Sequence, residues 1–154
     1  GGRTAEFVTD EPTTAVTKIG FLFGASFGTP RIRAAASAIA GVLTGFLLLN
    51  RVIKSCLPEN HVPCLAELSV SVRGKLLFCV GDTRRIPEEF GRLVVKEPGS
   101  ADIILVTGAG MCTSEGLATI ERYRGEKRII FLGPSPSGIC VLEKIEHWCP
   151  YGRM

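Results

Sequence analysis

SADIILVTGAGMCTSEGLATIERYRGEKRIIFLGPSPSG, Ser100–Gly138, decides the fold. A run of β-branched and aliphatic residues stops at Gly108 and Gly110, Leu117 and Ile120 follow at helical spacing, and a second unbroken apolar run ends at Gly133. The pattern predicts a strand at Asp102–Val106, a glycine-bearing loop at Thr107–Met111, a helix over about Thr113–Tyr123, a strand at Arg128–Leu132 and a loop at Gly133–Gly138. Strands apolar along their whole length are buried on both faces, and parallel neighbours need a crossover, so this is a βαβ unit.

Upstream, KLLFCV predicts a strand at Lys75–Val80 that ends in Gly81-Asp82. Pro87-Glu88-Glu89-Phe90 has a proline suited to the first helical position and acids in the first turn, so a short helix is expected there. Leu93–Lys96 reads as a further short strand. The spacing gives four parallel strands, Lys75–Val80, Leu93–Lys96, Asp102–Val106 and Arg128–Leu132, and the class α/β with a mostly parallel sheet flanked by helices. Downstream, Ile139, Leu142, Ile145 and Cys149 fall at helical spacing opposite Glu143, Lys144 and Glu146, an amphipathic helix stopped by Pro150.

Residues 1–17 are polar and read as an arm or an edge strand around Glu6–Thr9. Ile19–Phe23 is a short apolar strand candidate. Thr29-Pro30 supplies an N-cap and an N1 proline for a helix expected from Pro30 to about Ser55. Its span Ala34–Asn50 has no charge and contains Gly41-x-x-x-Gly45, features also found in membrane helices. Alanine, glycine, serine and threonine dominate it, and no aromatic belt flanks it, so a buried helix is the expectation and a membrane partner is not. The glycines let that helix lie close against the sheet or against a second copy of the chain. Cys56 to Pro63 reads as a loop. The organisation expected is a small amino-terminal strand-plus-helix region over 1–70 and an α/β domain over 71–154.

At 154 residues, with 45% hydrophobic residues and a mean hydropathy of +0.27, the chain has the length and composition for a proper core. The net charge of +3 comes from lysines and arginines interleaved with acids, with no aromatic stacking platform, so nucleic acid is not an expected partner. The chain begins Gly-Gly and shows no signal-peptide pattern, and its six cysteines follow no regular framework. Reduced thiols in the cytoplasm are the expectation.

In open α/β sheets ligands lie beyond the carboxyl ends of the strands, where loops depart and helix N-termini present unpaired N–H groups. Three loops qualify. The candidate ligand-binding residues are Gly81 and Asp82 after the first strand, Thr107, Gly108, Gly110 and Thr113 after the ADIILV strand, and Gly133 and Ser135 after the last. TGAG lacks the full GxGxxG pattern and no acid ends a following strand, so a dinucleotide is not expected. A small ligand, metal-bearing or anionic, is the expected partner, and a metal ion is the one cofactor the residues suggest. Cys112, His147 and Cys149 are candidate metal ligands if the fold converges them; Cys56, His61 and Cys64 match no standard zinc spacing and read as loop residues or an incidental Cys56–Cys64 pair. The alternative is an enzyme, a lyase or transferase using Cys112 as nucleophile at a helix N-terminus.

The order Val80-Gly81, then Ala101-Asp102 through Thr107-Gly108, then Gly133-Pro134-Ser135 resembles the carboxyl-terminal domain of a prokaryotic family of unknown function whose members are described as heavy-metal chelation proteins. The match covers about residues 75–138. The resemblance implies a Rossmann-like domain, a reduced counterpart of an enolase-type amino-terminal module over 1–70, a ligand cleft between the two, and a role in metal or metallocofactor handling.

Overall fold

A computed structural model describes residues 3–9, 12, 14–81 and 85–153 of the chain. The Thr29 hydroxyl accepts the Ile32 N–H at 3.3 Å and Pro30 takes N1, which opens helix α1, Pro30–Phe46. Helix α2, His61–Ser71, follows a 3₁₀ turn; strand β1 is Leu77–Val80 and helix α3 is Arg85–Phe90. Strand β2, Ile103–Thr107, passes directly into the one-turn helix α4, Gly108–Cys112, and then into helix α5, Ser114–Tyr123. Strand β3, Arg128–Leu132, helix α6, Ser137–Glu143, and strand β4, His147–Trp148, complete the order.

Among the described residues the sheet has four strands, all parallel, in the order β1-β2-β3-β4, with helices on both faces. This is a Rossmann-like α/β fold. Strand alternation splits the apolar residues between two clusters. Val80, Ile104, Val106 and Phe131 face Ala34, Met111, Cys112 and Cys140 on one side, whereas Leu77, Ile103, Leu105 and Ile130 face Leu68, Val72, Ile86 and Phe90 on the other. Residues before and after position 70 contribute to both clusters. Asp102 aligns the entry of the first two strands: its carboxylate accepts the Leu76 N–H at 2.8 Å, and its own N–H donates to the Leu76 carbonyl at 2.8 Å.

Several elements differ from the reading of the sequence. The long helix stops at Phe46, not near Ser55. Leu49 N–H donates to the Thr44 carbonyl and Leu48 N–H to the Gly45 carbonyl, with Leu48 left-handed at φ 59°, so the chain reverses in a Schellman-type cap. No helix among the described residues is long and apolar enough to cross a membrane. Ile19–Leu22 forms a 3₁₀ turn with no buried residue where a strand was expected. Residues 93–96 contribute one parallel bridge, Val94 to Leu77, and the fourth strand is β4. The helix expected through Cys149 ends at Glu143, because Lys144 turns left-handed at φ 54° and the chain then pairs beside β3, with Phe131 N–H donating to Glu146 O. The stretch read as loop to Pro63 already holds the first turn of α2. Pro63 is tolerated there because first-turn amides have no helical partner.

Two helices meet at a glycine pair. A Cβ on Gly138 of α6 would lie 2.5 Å from the Ala40 carbonyl carbon and 2.6 Å from Gly41 Cα of α1. The small-residue stripe of α1 thus serves helix packing within the chain.

Candidate functional site

The three expected strand ends do lie side by side. Val80 is paired with Val106, Val106 with Phe131 and Thr107 with Leu132, all parallel, so their outgoing loops leave from one edge. Much of that edge is sealed by its own backbone. Gly81, left-handed at φ 93°, sits so close to α4 that a Cβ would be 2.5 Å from Gly110 N, and a Cβ on Gly110 would be 2.6 Å from the Val80 carbonyl carbon. Thr107 Oγ1 bridges the same junction, accepting the Gly110 N–H at 3.1 Å and donating to the Val80 carbonyl at 3.3 Å. Thr113 Oγ1 repeats the arrangement one turn later, accepting from Gly116 N at 2.9 Å and donating to Gly110 O at 2.9 Å. Both threonines are caps, with their hydroxyls committed.

Ser135 is 5% exposed, and its Oγ accepts the Val8 N–H at 2.9 Å while its carbonyl accepts from Ser37 Oγ at 3.0 Å. Gly108 packs against Ser135, with Phe7 of the amino-terminal arm close by. The arm and α1 therefore cover the side of the edge that holds Gly108 and Ser135. Gly133 O accepts from His147 Nε2 at 2.7 Å, which places the ring proton on Nε2, and Gly133 N–H donates to Trp148 O. Asp82 lies outside the described residues.

What remains open is a cleft of about 200 Å³ between the outer side of β1 and the first turns of α5. Phe78 and Val80 give it an apolar wall, and Gly81, Thr113, Glu115 and Thr119 give it a polar one. Gly81 and Thr113 line it, Thr107 and Gly110 stand directly behind Gly81, and Gly108, Gly133 and Ser135 do not reach it. Phe78 and Thr119 were not singled out in the sequence, and Glu115 reads there only as an acid suited to the first turn of α5; the spacing of Glu115 and Thr119, four residues apart on a helix that follows a glycine-bearing turn, carried the signal.

The candidate metal ligands are not drawn together. Cys112 is 3% exposed among the apolar residues of the first cluster, and burial pushes its thiol up to about 11 against the opposing pull of Arg33. It ends α4 and does not begin a helix; its carbonyl accepts from Arg33 Nε at 2.6 Å. Burial lowers the His147 imidazole from its ordinary value, opposed by the bond to Gly133. Burial first, with the charges of Cys56 and Cys64 adding, pushes the Cys149 thiol up to about 12, and His61 Nδ1 accepts from Arg85 Nη1 at 3.1 Å. Among the described residues no group of three or more His, Cys, Asp and Glu is arranged to hold a metal ion.

Compared with protein-family models, curated proteins and solved structures, the chain matches none. The resemblance to the heavy-metal chelation family rests on its own three motifs.

Proposed function

We propose that this chain is a cytoplasmic binding protein that takes a small ligand at the carboxyl edge of its sheet and serves metal or metallocofactor handling. The observation that carries the reading is the cleft at the end of β1, where Gly81, Thr113, Glu115 and Thr119 meet the apolar wall of Phe78 and Val80. Ligands of open parallel sheets lie at this edge. Of the two ligand classes expected, metal-bearing or anionic, the Glu115 carboxylate on the rim favours the first, since it can ligate a metal, whereas a bare anion only meets a like charge. The family resemblance supports the same choice, and six free thiols suit a reducing compartment. The alternative, a lyase or transferase at the same edge, draws less support, because Cys112 is buried and burial pushes its thiol up to about 11, away from an activated thiolate.

Equilibrium dialysis with Ni²⁺ and Co²⁺ as free ions and as citrate complexes, with inorganic phosphate alongside, tests the reading. The citrate complex is retained and phosphate is not, and Glu115→Gln weakens retention by about tenfold, roughly 1.4 kcal/mol. Retention of nothing, or equal retention by wild type and variant, overturns it.

A further inference from the structure

The carboxyl end of α1 puts four consecutive apolar side chains into solvent. Phe46, Leu47, Leu48 and Leu49 are between 53% and 84% exposed, and they follow directly on buried Thr44 and Gly45. The turn that carries them is fixed by its own backbone. Leu47 N–H donates to Leu43 O at 3.0 Å, Leu48 N–H to Gly45 O at 3.2 Å and Leu49 N–H to Thr44 O at 2.9 Å. On the far side buried Asn50 closes the turn, its carboxamide accepting the Val52 N–H at 2.9 Å and donating to the Val52 carbonyl at 3.0 Å. Ile53 then packs back under the helix end, with its Cγ2 3.0 Å from where a Cβ on Gly45 would stand.

Folding alone does not account for Leu48. Its φ of 59° lies in the left-handed region where glycine is the usual cap residue, and its side chain points into water. Backbone strain that no internal contact offsets points to a role outside the fold. Single exposed leucines are ordinary, but four apolar side chains in succession on a fixed turn mark a surface that meets a partner or a membrane.

Charge decides between the two. Over residues 12–58 the chain has no Asp or Glu, while it carries Lys18, Arg31, Arg33, Arg51 and Lys54. Two cations stand at the tip itself: the Arg3 guanidinium lies 5.0 Å over the Phe46 ring, and exposed Arg51 is two positions beyond Leu49. Glu6, the acid that the amino-terminal arm brings to this end of α1, has its carboxylate committed to the Ser55 N–H at 3.2 Å. We infer that residues 46–49 are a membrane-surface anchor, whose four side chains enter the acyl boundary of an anionic bilayer while Arg3 and Arg51 stay at its phosphates. No helix among the described residues is long and apolar enough to cross a membrane, and surface contact needs none. A second copy of the chain fits less well. Four residues on a turn expose less than the roughly 800 Å² per partner of a stable protein interface, whereas lipid admits a protruding point without a matching pocket.

Co-sedimentation of the full chain with phosphatidylcholine vesicles, and with equimolar phosphatidylcholine–phosphatidylglycerol vesicles, tests the anchor. The chain is expected to pellet with the anionic vesicles and to stay in solution with the neutral ones, and high salt is expected to weaken the pelleting. Leu48→Gly, which leaves the backbone bonds of the cap in place, is expected to lower vesicle affinity about tenfold. Leu47→Ser sits outside the left-handed position and is expected to repeat that loss, so the outcome does not hang on one variant. Arg51→Ser is expected to lower affinity about fivefold. Val70→Ser, an exposed apolar residue on α2, which packs on the opposite face of the sheet from α1, is expected to change nothing. No pelleting with either vesicle, equal pelleting with both, pelleting indifferent to salt, or affinity that neither leucine variant lowers overturns the inference. A dimer in lipid-free buffer that Leu48→Gly disperses overturns it in favour of a second copy.

Discussion

Gly108, at the exit of β2, lies against Ser135, at the exit of β3, so closely that a Cβ on the glycine would overlap the serine Cβ and stand 2.9 Å from its Oγ. The glycines at this edge admit close neighbours, a side chain at Gly108 and backbone at Gly81 and Gly110, and so close most of it. Overpacking a filled site costs about 1–3 kcal/mol; a Cβ on Gly110 would meet the Val80 and Gly81 backbone, and one on Gly108 the Ser135 Cβ, which its own backbone holds in place. Gly108→Ala and Gly110→Ala are therefore expected to lower stability by about 1–3 kcal/mol. Gly20→Ala, where a Cβ meets nothing within 4 Å, is expected to stay within about 0.5 kcal/mol. Urea unfolding of the three variants decides it; equal midpoints for Gly20→Ala and Gly110→Ala would show that the edge is not packed this way.

The other partner of Ser135 is the amino-terminal arm. Val8 N–H donates to its hydroxyl, Glu6 N–H donates to Ile53 O at 3.3 Å, and Glu6 Oε2 accepts from Ser55 N at 3.2 Å. Ser135→Ala removes the first of these and leaves the bond from Ser37 to the Ser135 carbonyl in place. Loss of a partly buried hydrogen bond of this kind costs about 1 kcal/mol. That cost falls on the arm alone, so limited proteolysis within residues 3–9 is expected to speed up by about fivefold while the global unfolding midpoint moves little. An unchanged cleavage rate would mean that Phe7 and Glu6 hold the arm without the serine.

The strands were legible because burial on both faces writes itself into the sequence. Leu77–Val80, Ile103–Thr107 and Arg128–Leu132 lie within two residues of the apolar runs that predicted them. β4 was not legible: two residues, His147 and Trp148, become a strand through hydrogen bonds to β3, and periodicity cannot report a partner sixteen positions away. α2 was hidden by Pro63, whose place in the first turn makes it harmless. The candidate site was legible only in part. That three strand ends converge follows from parallel pairing, but that Thr107, Thr113 and Ser135 spend their hydroxyls inside the chain depends on contacts as distant as Val8 and Ser135.

His147 makes stability depend on pH on the acid side of neutrality. Burial lowers its folded pKa below the ordinary 6.5, so the unfolded chain takes up the proton first as the pH falls. Its contribution is fully present above 6.5 and is lost as the pH drops from 6.5 toward the folded value. Buried Cys112 and Cys140 act with the opposite sign. Their thiols are pushed up to about 11 and about 12, so their contribution is present below 9.0 and is lost as the pH rises beyond it. Unfolding midpoints measured across both limbs should fall at each end, and His147→Gln should flatten the acid limb alone. An acid limb just as steep in that variant would assign it to other groups.

Leu48 holds backbone strain that its side chain does not offset, so its replacement carries a sign unusual for a leucine. It occupies the left-handed position of the α1 cap, with φ 59°, where a side chain costs roughly 1–2 kcal/mol relative to glycine. Its side chain is 84% exposed, so almost no apolar burial offsets that strain. The hydrogen bonds of the cap, Leu49 N–H to Thr44 O at 2.9 Å and Leu48 N–H to Gly45 O at 3.2 Å, are backbone bonds that glycine keeps. Glycine loses more entropy on folding, by about 0.5–1 kcal/mol, which takes back part of the gain. Leu48→Gly is thus expected to raise stability by about 0.5–1 kcal/mol. Leu48→Ala, which keeps the Cβ and the strain, is expected to stay within about 0.5 kcal/mol of wild type. Paired urea titrations of the two variants separate strain from side-chain loss, and a destabilised glycine variant alongside a neutral alanine one would show that the left-handed turn carries no strain to relieve.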